Sequence, residues 1–462
     1  MNVQMNEKNP LGTAKVGDLL RKFAIPSIIA MLVSSLYNIV DQIFIGHGVG
    51  ELGNAATNIA FPLSIACIAI ALLFGIGGAA AFNIAMGQGE KNPEEKEKAA
   101  FFMGNSIFML VTLGVLLATV SILFLEPLLQ FFGAPKDVLP YAKEYTRITA
   151  FGFPLLIIIS GGGHLIRADG RPTVSMICNF TGAVINVFLD ALFVLVFKWG
   201  MTGAATATVI GQVISTTLVI YYLSHCKTIK LRGKHLKPKG EYIRRVMSLG
   251  MAPCSNQIAM MVVQIVMNKT LKYYGGASVY GEAIPIACSG IIAKVNMIFM
   301  SLIIGISQGL QPIVSFNYGA GKYERVKKAY TTAIKAGFVI AIIAFLMFQL
   351  IPRQIISMFG NGSPMYYQFA VRYFRVFLFF TFWNCLQPIS SNFFTAIGKP
   401  IYGVFLSLTR QIIFLLPLLL LLPLFVGIDG VMYSGMVADG MAGVCAIVMI
   451  LREFGNENYR KK

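Results

Sequence analysis

Apolar runs of some 20 residues recur about twelve times along this chain, and each is long enough to cross a hydrocarbon layer about 30 Å thick as a helix. Inside that layer no water satisfies a free backbone N–H or C=O, so runs of this length must close their hydrogen bonds internally, as α-helices do. Only 13% of the 462 residues are charged, against about 25% in soluble domains, which excludes a set of soluble cores. The runs fall near 23–45, 55–85, 99–125, 141–165, 173–197 and 203–224, and again near 246–271, 283–316, 330–351, 366–393, 401–425 and 429–451. The first follows a polar leader and lacks a small-x-small cleavage signal, so it is read as a retained helix and not a secretion signal.

A formal charge of +18 would suit a nucleic-acid binder if the basic residues formed one stripe. Instead they concentrate in every second loop. The leader (Lys8, Lys15, Arg21, Lys22), the 91–98 loop, Arg167 and Arg171, the 322–328 loop, Lys399 and the C-terminal tail all belong to one side, as does the segment from Lys227 to Arg245, with eight Lys or Arg. The opposite loops hold few, chiefly Lys136, Lys198, Lys272 and Arg353. The positive-inside rule then predicts cytoplasmic termini for a multi-pass protein of the inner (plasma) membrane, with no nucleic-acid partner. The expected organisation is a leader (1–22), a six-helix bundle (23–224), a basic linker (225–245), a second bundle (246–451) and a tail (452–462). Seven cysteines and four histidines show neither pairing nor metal-ligand spacing, so no disulfide, zinc site or other metal site is expected.

The two sets of six runs match at a shift of about 227 to 232 residues. Phe132-Gly133 answers Phe359-Gly360, GQG at 87–89 answers GAG at 319–321, ADGRP at 168–172 answers AIGKP at 396–400, and GMTG at 200–203 answers GIDG at 427–430. Four matches in one order at nearly one offset indicate a duplication. An even number of spans per half makes the repeats parallel, related by a pseudo-twofold axis along the membrane normal, an arrangement that transporters use for alternating access. The glycine and alanine clusters at 75–81 and 161–163 suit close helix packing.

The chemistry resides in polar residues inside the apolar runs. Asn186 and Asp190 are four apart in the fifth run and share one helical face. An ionised carboxylate in a membrane helix costs at least about 2.5 kcal/mol, so it turns to the protein interior or to water. At about 1.5 Å per residue, Asp41, Tyr145, Asn186, Asp190 and Thr208 occupy one depth band in the outer half of the first bundle. Hard oxygen ligands and partly desolvated carboxylates held close together suit a proton or sodium ion. The quieter reading has Asp41 at a wet helix end and Asp190 paired with Arg147. Pro26, inside the first run, removes a backbone hydrogen bond and is a candidate hinge. Lys294, Arg410 and Asp439 are placed near the midplane of the second half, where interhelical ion pairing is expected, with gating or substrate contact the alternative. Tyr37, Asn38, Tyr373, Phe377 and Trp383 are candidates to line a substrate cavity, although packing is the commoner fate of such aromatics.

No enzyme motif accompanies these groups. GAGKY at 319–323 lacks both the leading glycine and the Ser/Thr of a Walker A loop, so an ion gradient is the energy source expected within the chain, and no cofactor is expected. An intramembrane enzyme would need a nucleophile or metal ligands near a pocket, and a channel explains the duplicated halves less directly than alternating access does.

Twelve runs in two sets of six, the basic link, Pro26, YNIVDQIFIG at 37–46 and the GKP turn at 398–400 together resemble the multidrug and toxic compound extrusion (MATE) family, closest to its MepA-like bacterial branch. The resemblance covers nearly the whole chain. It implies an all-α membrane protein that exports small organic cations in exchange for protons or sodium ions, without ATP; a monomer in the lipid bilayer is the expected state. It also implies a cation site made by Asp41, Asn186, Asp190, Tyr145 and Thr208. Ser160 and Gly163 stand where some relatives carry asparagines, and the acids that another branch uses in the seventh and tenth helices have no counterpart here. A flippase of lipid-linked sugars, from the same superfamily, is the alternative, and it would call for a more basic cavity.

Overall fold

The structure, a computed structural model, describes residues 9–281, 283–358, 363–456 and 459. Among them twelve helices are long and apolar enough to cross a membrane. The first six are α1 (Val16–Gly48), α2 (Leu52–Gln88), α3 (Glu94–Leu123), α4 (Leu139–Ala168), α5 (Pro172–Val196) and α6 (Gly200–Ser224). The second six are α7 (Gly240–Gly276), α8 (Ile284–Gly319), α9 (Tyr323–Leu350), α10 (Pro364–Ala396), α11 (Pro400–Val426) and α12 (Asp429–Phe454). Each matches an expected run, but several ends reach further. The expected leader is helical from Val16, and α7 begins inside the expected linker. Helices such as α7, with 37 residues, measure about 55 Å at 1.5 Å per residue and so project beyond the hydrocarbon. Residues 1–8, most of the tail beyond Asn456, and the Phe359-Gly360 member of the repeat lie outside the described residues.

The repeat is visible in the turns. Gly170 and Gly398, the glycines of ADGRP and AIGKP, adopt φ of 84° and 78°, a left-handed conformation open to glycine at little cost, and the proline two residues on starts the next helix. The GQG and GAG segments pack reciprocally. A methyl group at Gly87 would stand 2.0 Å from the Phe316 carbonyl oxygen, and one at Gly319 would stand 2.1 Å from that of Ile84. Gly75 lies against Gly161 between α2 and α4, and Gly77 against the Val246 carbonyl between α2 and α7. Small residues therefore set the close helix approaches, as the sequence predicts.

Residues near both termini, Pro10–Ala14 and Tyr459, meet around the α8–α9 turn, which defines the terminal face of the molecule. The short helix Pro10–Thr13 is held there: Asn317 donates to the Leu11 carbonyl at 2.9 Å, and Arg325 donates to Ala14 at 2.6 Å. Lys322 pairs across the two bundles with Glu90 at 2.7 Å, and Tyr459 packs on Tyr323 and Phe454. The linker is fastened to the first bundle. Buried Asp169 accepts hydrogen bonds from the Lys227 and Thr228 amides, and Asn105 bonds His235 and Lys239.

Span α10 departs from a continuous helix. It runs as Pro364–Phe377, a 3₁₀ turn at Phe379–Trp383, then Leu386–Ala396. The facing glycines of α12 account for this. Phe377 lies on Gly435, Phe380 on Gly440 and Trp383 on Gly443. Eight residues of α12 rise about 12 Å, whereas six residues of α10 rise about 9 Å as an α-helix and about 12 Å as a 3₁₀ turn. The stretched turn keeps the aromatics in register with the glycines.

Candidate functional site

The carboxylate cluster is built by α1, α4 and α5, with α6 behind. Asp190 ends the α-helical part of α5, which continues as a π-turn over Ala191–Val196, a feature frequent at functional sites. The end of α1 packs on this turn, where a methyl at Gly48 would stand 2.2 Å from Val194. The carboxyl groups of Asp41 and Asp190 stand close enough for the charge of one to act on the other. Tyr37 and Tyr145 stand close enough to interact with both charges. The Asn186 amide donates to Thr208 at 3.3 Å, and Thr208 donates to the Ala204 carbonyl.

Asp190 is fully buried and Asn186 nearly so. Four buried oxygens here lack a hydrogen-bond partner: Asp41 Oδ1, Asn186 Oδ1 and both oxygens of Asp190. Buried polar atoms are nearly always satisfied, so several orphan oxygens in one cluster mark a place for a mobile partner. Two ionised carboxylates at this separation repel, and a proton or small cation between them removes the repulsion. The structure thus brings together all five residues of the expected cation site. It adds Tyr37, which the sequence reading placed in a substrate cavity. The signal for Tyr37 was its spacing of four from Asp41. Arg147, the expected partner of Asp190 in the quieter reading, is exposed and forms no ion pair among the described residues.

The second half is arranged differently. Arg410 and Asp439 form a short buried ion pair between α11 and α12, and Asn384 donates to Asp439 at 3.4 Å. Lys294 is not part of that network. It is exposed on α8, without an ion pair among the described residues, because its face of α8 points away from α11 and α12 toward α1. Tyr373 and Phe377 are buried at 1% and 6% exposure, and Trp383 packs on Gly443, so in this structure the three rings pack inside the second bundle. Gly435 and Gly443 of α12 draw Phe377 and Trp383 inward, and the Tyr373 hydroxyl reaches the Met267 sulfur of α7. Asn38 is exposed and bonds the Ser34 carbonyl of its own helix. Pro26 lies inside a helix that stays continuous from Val16 to Gly48. Seven free cysteines and no metal-binding cluster are found among the described residues.

The two halves meet along α1–α8, α2–α7 and α2–α8. Ser35 bonds Ser301 at 2.6 Å, Gln308 contacts Met31, and Gln311 donates to the Ile76 carbonyl at 2.9 Å. A methyl group at Gly250 would meet Leu73. All these contacts lie between the terminal face and the level of Ser35.

Two related six-span bundles joined in this way, with a buried acidic cluster in one of them, define a multi-pass membrane transporter. The MatE family profile matches twice, over residues 26–192 and 254–421, so the chain belongs to the MatE family and each half carries one copy. Over most of its length the chain is similar to the multidrug export protein MepA of Staphylococcus aureus, 23% identical over 452 residues that cover 97% of this chain and 95% of that protein. It is equally similar to MepA of Staphylococcus haemolyticus, 23% identical over 93% of this chain and 92% of that one. Among solved structures it is similar to a MOP superfamily transporter from Pyrococcus furiosus, with a TM-score of 0.89 at 20% identity over 99% of this chain and 100% of that chain. A multidrug resistance MATE family transporter in an outward-facing conformation gives the same score and identity over 98% of this chain and 99% of that chain. The fold is the all-α, two-bundle fold of that superfamily.

Proposed function

We propose that this protein is a secondary active multidrug exporter of the plasma membrane that extrudes organic cations in exchange for entering protons or sodium ions. The observation that carries this reading is the group of buried, partnerless oxygens on Asp41, Asn186 and Asp190. A site that lacks a fixed counter-charge favours one bundle shape when an ion occupies it and another when it does not. Helix α1 is suited to pass that change on, because one side of it touches α5 and the other touches α8 of the opposite bundle. The terminal face is read as cytoplasmic from its basic loops, and the chain is read as acting as a monomer.

The names of the MepA relatives support drug export over lipid-linked sugar flipping. The test is uptake of a fluorescent organic cation into inside-out vesicles, with proton and sodium gradients imposed separately. One of the two gradients should drive uptake in the wild type and fail to do so in Asp190→Asn. Uptake that needs neither gradient, or that survives in the variant, would overturn the reading.

A further inference from the structure

Lys294 takes no part in the carboxylate cluster or in the Arg410–Asp439 pair, yet it sits at the level where the seam between the bundles opens. At 100° per residue, Gly290, Lys294, Met297, Ser301 and Gln308 fall on one face of α8. Toward the terminal face that stripe is buried on α1, through Ser301–Ser35 and Gln308–Met31. Beyond Ser301 it is open. Met297 and Lys294 are exposed, and a methyl group added at Gly290 would meet nothing within 4 Å. The facing stripe of α1 behaves alike: Ala24, Ile28, Met31 and Ser35 meet α8, and the next residue on that face, Asn38, is exposed.

Lys294 and Asp41 lie seven and six residues beyond the Ser301–Ser35 contact on antiparallel helices, so both stand about 10 Å above it. Asp41 turns toward α5 and Lys294 faces the seam. A lysine at this level that faced acyl chains would give up part of its hydration, so an opening lined by Asn38 and Lys294 holds water and not lipid.

We infer that Lys294 is the specificity-determining residue of this opening and selects amphiphiles that carry a carboxylate beside their cationic centre. The proposal rests on the export reading above and narrows its substrate class. A lysine with no fixed counter-charge repels a pure cation and forms a charge-assisted hydrogen bond with a carboxylate.

The test uses two probes with one chromophore, a zwitterionic rhodamine and its methyl ester, in equilibrium binding to the full-length protein in lipid nanodiscs without a gradient. The wild type should bind the zwitterion about tenfold more tightly than the ester, the scale of one hydrogen bond to a charged group. Lys294→Gln should abolish that preference by weakening the zwitterion alone, and Lys294→Arg should keep it. Because Lys294 is exposed, both variants are expected to fold, and a thermal melt of the nanodisc-embedded protein checks this. Equal affinity for both probes in the wild type, or equal losses for both in Lys294→Gln, overturns the assignment and leaves export of amphiphiles standing. Absence of binding by either probe to the wild type overturns the export reading and this assignment with it.

Discussion

The two halves share a fold but treat buried charge in opposite ways. In the second, Arg410 on α11 and Asp439 on α12 neutralise one another at the helix crossing. The repeat places Arg410 opposite Gly182 and Asp439 opposite Gln212. At that crossing in the first half, a methyl group at Gly182 would stand 2.0 Å from the Ser215 hydroxyl and 2.9 Å from the Gly211 carbonyl, leaving no room for an arginine. The acid of α5 sits two turns further along, at Asp190, facing Asp41 with no basic partner. Both fifth spans carry a π-turn beside their charged residue. A charge with a fixed partner is part of the scaffold, whereas acids that face one another without such a partner are left for an ion that comes and goes.

Four experiments would break or sharpen that contrast. The largest effect is expected for Asp190→Asn, which should lower gradient-driven efflux by about 100-fold or more, equivalent to about 2.7 kcal/mol on the barrier. The variant's melting temperature should stay within a few degrees of wild type, and a variant that fails to fold would show that Asp190 is scaffold after all. Next is Arg410→Met, which strands Asp439 in the interior and should destabilise the protein by about 3 to 5 kcal/mol, while Arg410→Met with Asp439→Leu should recover most of the loss. Denaturant melts of both variants measure this. A double variant that folds but cannot transport would move part of the coupling into the second bundle.

The third is the pH dependence of cation binding. Loss of a proton from the Asp41–Asp190 cluster adds negative charge, so if a proton competes with the substrate, affinity for an organic cation should rise with pH, by up to about tenfold per unit for competition with one proton. Asp41→Asn should flatten the titration, and a flat wild-type profile around neutral pH would point away from proton competition. The smallest effect belongs to the terminal face. The Glu90–Lys322 pair is partly exposed and contributes less than about 1 kcal/mol. Glu90→Gln should therefore shift the balance between open and closed terminal faces by no more than about fivefold, readable as spin-label distances between the α2–α3 and α8–α9 turns. No shift at all would assign the closure to Arg325 and the Pro10–Thr13 helix.

By itself the sequence determined the twelve spans, the duplication and the common level of the first bundle's polar residues, because helix rise is a fixed length that converts position in the chain into height along a helix. It also marked Asp41, Tyr145, Asn186, Asp190 and Thr208 as neighbours in depth. It did not determine which way each helix is turned about its axis, since that depends on how side chains of different helices interlock. For this reason the tertiary structure alone placed Tyr37 with the acids, set the α10 aromatics on the glycines of α12, separated Lys294 from Arg410 and Asp439, and used the leader as a clasp. Depth follows from counting residues along one helix, but azimuth is decided only when two helices meet.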